Sequence, residues 1–142
     1  MADNKNNISF SLLEIKTDQF ALFEENHIEN GKIKLNTNLT FGFNADDKVF
    51  LISVKYIFEM KKRPFMTIQT SCFFTIDNIA LENFKAGDKT VFPKGFVAHM
   101  AMITVGTSRG VLHTKTEGTI FNKYILPTID VTKMIPEDLI FD

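Results

Sequence analysis

Side chains able to bind a metal or attack a substrate are few and dispersed along this chain. His27, His99 and His113 are far apart, and Cys72 is the single cysteine. None of them has the short spacing that holds zinc, so structural or surface roles are expected for all four. The neighbouring carboxylates Glu24–Glu25 and Asp46–Asp47 would point to opposite sides of an extended backbone, unlike a catalytic pair aimed at one atom. The run Gly106-Thr107-Ser108-Arg109-Gly110 has the composition of a phosphate loop. It lacks the Lys-Ser/Thr ending and a preceding strand, and it falls at the end of an expected helix, where the dipole repels anions. No serine or cysteine stands in a nucleophile motif. The expectation is a protein that is not an enzyme and holds neither metal nor cofactor.

The conspicuous residues are apolar. Fifteen Phe, six Met and no Trp occur in 142 residues. Such residues either fill a core or form an outward surface that adapts to irregular partners, because Met bends and aromatic rings carry much contact area. With 44% hydrophobic and 23% charged residues, the chain fits a single domain, residues 1–142, with no internal repeat or linker. A formal charge of -1 gives no footprint for nucleic acid or an anionic membrane. No apolar run approaches the roughly 20 residues of a membrane span, and Met1 to Asn7 lacks a secretory pattern. A lone cysteine forms no intramolecular disulfide, so the expected compartment is the cytoplasm, where the sequons at Asn7 and Asn38 mean nothing.

The elements that position these residues follow from periodicity. From Lys32 to Asn44, Ile33, Leu35, Thr37, Leu39, Phe41 and Phe43 alternate with polar residues, as in a half-buried strand. Turn chemistry at Asn44 to Asp47 leads to a second strand with Phe50, Ile52, Val54, Tyr56, Phe58 and Met60 on one face. Lys61 to Pro64 breaks that run before a third, with Met66, Ile68, Thr70, Cys72, Phe74 and Ile76. Ile8 to Phe23 also reads as a strand, its phase slipping between Leu12 and Leu13 as at a bulge. After Pro93 the period becomes helical through Phe96, Val97, Met100, Ile103, Thr104 and Thr107, so a helix is expected over about Lys94 to Arg109, capped by Gly110. Gly106 inside it costs roughly 1 kcal/mol relative to Ala and often marks close approach of another backbone. A mixed segment, Val111 to Tyr124, precedes a last helical pattern of Val131, Met134, Ile135, Leu139 and Ile140, interrupted by Pro136. Strands first and helices last is the α+β arrangement.

Several short motifs resemble the SecB export chaperones of bacteria. They are Val91-Phe92-Pro93 at the helix start, Thr107-Ser108-Arg109-Gly110 at its end, and Leu126-Pro127 with Ile129-Asp130 before the last helix. Ile33-Lys34-Leu35, Asp46-Asp47 with Val49-Phe50, and Phe74-Thr75-Ile76 are similar to parts of that family's strands. The resemblance runs from about Ile8 to Ile135 and implies a four-stranded antiparallel sheet with one long and one short helix. It further implies an ATP-independent holdase, assembled as a dimer of dimers, whose partners are non-native client polypeptides and the export ATPase or an antitoxin. The chain departs from the family in ending at Asp142 without a basic, Cys- and His-containing tail, which weighs against docking on the ATPase. Val111 to Tyr124 is also longer than its counterpart.

On this reading, clients are expected at Phe20, Phe23, Phe41, Phe43, Leu126, Ile129, Met134 and Ile135. Other copies of the chain are expected at Phe96, Met100, Ile103 and Gly106, where the resemblance places subunit contacts. Each of the client residues reads equally well as core. Two other classes fit the same sequence: a carrier enclosing a small apolar ligand, and a module that adds a partner's strand to its sheet edge.

Overall fold

A computed structural model describes residues 10–142 of the chain. Four long strands form an antiparallel sheet: β1 (Phe10–Leu22), β2 (Lys34–Asn44), β3 (Val49–Met60) and β4 (Arg63–Ile76), in the order β1-β4-β3-β2. Ile8, expected to begin the first strand, lies outside the described residues. The sheet follows from alternation. On β3 and β4 the residues from Phe50 to Met60 and from Met66 to Ile76 at every second position are buried, and they share one face. Register irregularities on β1 fall between Leu12 and Glu14, where the apolar phase slips, and again between Thr17 and Gln19.

The apolar face is covered by α2 (Lys94–Thr116), whose buried Val97, Met100, Ala101, Thr104, Val105, Ser108 and Leu112 recur at three- and four-residue steps. This helix runs beyond the expected end at Arg109, and Gly110 lies inside it rather than capping it. Leu112 and Thr116 prolong the buried stripe, and the Thr104, Ser108 and Thr116 hydroxyls each donate to the carbonyl one turn back, at 2.8 to 2.9 Å. A left-handed residue does follow, but it is Gly118, with φ of +79°. The expected mixed segment is therefore the helix end, a turn, and a short 3-10 helix at Ile120–Lys123.

The chain from Asp77 to Phe92, unassigned from periodicity, holds α1 (Asn78–Phe84), β5 (Lys85–Ala86) and β6 (Lys89–Phe92). Asp77 accepts from the Ile79 amide and so caps α1, meeting one of the unpaired donors of a helix start. The last helix, α3 (Val131–Met134), is a single turn capped by Asp130. Pro136 follows, and the apolar residues expected to extend α3 instead form β7 (Leu139–Phe141). That strand completes a second sheet, β5-β6-β7, by pairing with β6. Phe43, Phe50, Phe92 and Phe141 meet where the two sheets join, with ring centroids 4.8 to 6.4 Å apart. The α+β class and the four-stranded antiparallel sheet are thus as expected, with one more short helix.

Candidate functional site

Three candidate nucleophiles, Cys72, Ser53 and Ser71, are buried. Burial pushes the Cys72 thiol up, while the Thr104 and Thr107 hydroxyls pull it the other way; a protonated, buried thiol is a poor nucleophile. Ser71 donates to Asp18 and shares a short hydrogen bond with Ser53. Both serines are buried, and the chain of hydroxyls ties the second irregularity of β1 to the middle of the sheet. His27 shares a 2.6 Å hydrogen bond with the Tyr124 hydroxyl, its ring packed against Phe65 and Phe121. Among the described residues no group of three His, Cys, Asp or Glu side chains could hold a metal ion, and no helix is long and apolar enough to cross a membrane.

The residues expected to receive clients fall into three places. Phe41 and Phe43, on β2, are half-buried against one core cluster, and half-buried Ile129 packs against that cluster and the other. Phe20 pairs with Ile68 on β1, and the amide of Phe23, just past that strand, donates to the Phe65 carbonyl. Strand order puts these two on the opposite side of the sheet from β2, so the eight residues do not line one groove. Leu126 and Ile135 are core, at 1% and 3% exposed. Arg109 fixes the segment behind that burial by donating to the Leu126 and Pro127 carbonyls, at 3.2 and 3.3 Å. Met134 is half-buried on α3.

Of the residues expected between subunits, Met100 and Phe96 face inward, at 0% and 7% exposed. Their spacing sets them on the buried stripe of α2. Ile103 is half-buried and Gly106 exposed, and a Cβ at Gly106 would meet nothing within 4 Å. The outward residue of α2 that periodicity passed over is Met102, 62% exposed. On β1, Leu12, Leu13 and Ile15 are exposed on both faces of the strand; the sequence signal was the adjacent pair Leu12-Leu13, read only as a phase slip.

The two edges of the large sheet differ. β1 carries Glu14, Lys16 and Asp18 and two register irregularities, features that discourage pairing with a further strand. β2 pairs with β3 through eleven consecutive residues without irregularity. Its sequence KLNTNLTFGFN contains one charge, at the first residue. Among the described residues β2 has β3 on one side, and its other side is the end of the sheet. Its backbone therefore offers a straight row of donors and acceptors beside the half-buried Leu35, Leu39, Phe41 and Phe43. The larger surface depressions are open ones, including about 450 Å³ beside Leu13, Leu51 and Phe73 and about 420 Å³ beside Arg109, Tyr124 and Ile125.

No family model and no curated protein matches this chain. Among solved structures it is similar to a SecB-like chaperone of Mycobacterium tuberculosis in complex with a ChAD peptide from an antitoxin, at 12% identity and a TM-score of 0.48 over 85% of this chain and 91% of that chain. It is also similar to a protein of unknown function from Streptococcus agalactiae, at 17% identity and a TM-score of 0.45 over 87% of this chain and 98% of that chain.

Proposed function

We propose that this protein is an ATP-independent holdase that binds non-native polypeptide in extended form along the free edge of β2. The observation that carries the reading is the contrast of edges: β1 has charges and irregularities, whereas β2 is long, regular and almost uncharged. A client strand added there would satisfy its backbone groups by pairing and set alternate side chains against Leu35, Leu39, Phe41 and Phe43. Backbone pairing is indifferent to sequence, and apolar contact supplies roughly 25 cal/mol per Å² buried, so many clients can be held moderately. Binding only the unfolded state withdraws it from aggregation without ATP. An antitoxin or an export substrate suits the site equally, since each would present an extended apolar segment. The open depressions favour this reading over a carrier with an enclosed pocket.

We further propose that copies of the chain assemble through the exposed β1 residues Leu12 and Ile15 and the outward side of α2 at Met102, Ile103 and Gly106. This leaves β2 free at the other side of the sheet, and several edges per assembly would engage one long client at high effective concentration. The test is suppression of aggregation of a chemically unfolded client, run beside native mass measurement. Suppression by an oligomer without nucleotide is expected; a monomer that leaves aggregation unchanged would overturn the proposal.

A further inference from the structure

At the end of the sheet where β2 begins, five cations are exposed: Lys32, Lys34, Lys61, Lys62 and Arg63. Lys34 pairs across the strands with Glu59, and the β3–β4 hairpin closes one residue later with Met60 opposite Arg63. None of the five makes an ion pair within 4 Å among the described residues. The tip is a two-residue loop in which both Lys61 and Lys62 have positive φ, +49° and +65°. Such loops favour Asn-Gly, because a residue with a Cβ is strained in the left-handed region. Here two adjacent lysines stand in those positions, concentrating charge where turn chemistry asks for something else.

We infer that this cluster reads the charge of the bound segment: the preferred client is an apolar strand followed on its C-terminal side by acidic residues. The inference rests on the proposed use of the β2 edge. β2 runs from Lys34 to Asn44, so a strand added antiparallel to it ends beside Lys34, and the residues after it pass the Lys61-Lys62-Arg63 tip. Glu59 faces Lys34 and the Glu24–Glu25 turn lies toward β4, which packs against that turn. Arg63, the first residue of β4, lies toward that turn, and Glu29 is paired with Lys123, which leaves Lys32, Lys34, Lys61 and Lys62 outnumbering Glu59 on the β2 side. A nucleic acid would also meet cations here, but the exposed edge beside them fits peptide backbone, and the chain's net charge is -1.

The test compares two labelled peptides of identical composition, one with an acidic run after an apolar strand and one with that run before it, by fluorescence anisotropy. Exposed ion pairs contribute modestly, so the first should bind the parent about fivefold more tightly, with the difference fading as salt rises. The variant Lys61→Asn/Lys62→Gly removes two of the five charges and supplies the favoured turn residues, so it should fold and reduce the difference. Equal binding of both peptides would overturn this inference while leaving the holding reading intact; binding of neither would overturn both. A preference undiminished in the variant would show that the cations do not set it. Binding of a single-stranded oligonucleotide in place of both peptides, lost in the variant, would assign the cluster to nucleic acid and end the proposal.

Discussion

Proline substitution at Thr37 and Asn38 tests the role of the β2 edge with an internal control. Successive residues of a strand direct their backbone groups to opposite sides, so one of these two amides faces β3 and the other faces outward. Both residues lie in the middle of the eleven-residue pairing with β3. Proline at the inward position removes a ladder hydrogen bond and sets its ring against the partner strand, a loss of about 3 kcal/mol or more by comparison with helix interiors. Proline at the outward position removes no bond of the folded chain, so thermal unfolding alone identifies which variant is which. For the outward variant, a client loses at least one backbone bond, worth about 0.5 to 1.5 kcal/mol net. The proline ring also disturbs the bonds on either side. The expected result is a roughly tenfold loss of affinity, about 1.4 kcal/mol, with little change in melting temperature, read by client anisotropy and calorimetry. Unchanged client affinity in the stable outward variant would refute the edge-pairing argument.

Other consequences follow from burial. Tyr56 is fully buried and its hydroxyl has no partner among the described residues, so Tyr56→Phe should stabilise the fold by about 1 kcal/mol in denaturant titration, since an unpaired buried hydroxyl costs about that much or more. Burial pushes the Tyr56 pKa from 10.0 to about 12, opposed by the Arg109 charge. A raised folded-state pKa contributes stability that is complete below the unfolded value and lost as pH rises through the folded one. The parent should therefore lose stability between about pH 10 and about 12 more steeply than Tyr56→Phe. Ile15→Lys with Met102→Lys changes residues that are 47% and 62% exposed and should reduce oligomer size in sedimentation while each chain stays folded. Leu126→Ala should cost about 2 to 5 kcal/mol, as a core truncation does, and alter client binding only as far as unfolding does.

The large sheet was legible because period-two alternation is strong on three strands, with Phe41 and Phe43 on the same face as Ile52 and Phe50 opposite them. The short elements were not. α1 has seven residues, too few to display a helical period, and β7 is recognisable only through β6, its partner from far back in the chain. The end of α2 was misplaced because Gly110 resembles a cap, whereas buried Leu112 and the back-bonded Thr116 carry the helix onward. Periodicity put Met100 and Phe96 on a common face of α2 without indicating which face the sheet covers. The candidate site was least legible: an edge is defined by strand order, and β2 became one only because β1 pairs with β4 at the opposite side. The half-burial of Phe41 and Phe43 follows from the same order.

The most direct measurement is amide hydrogen exchange on the full chain with and without a bound unfolded client. Exchange should slow at alternate amides of Lys34–Asn44, those on the free side of β2, as client is added. Saturating client binding that leaves every amide of β2 exchanging as before would contradict the account.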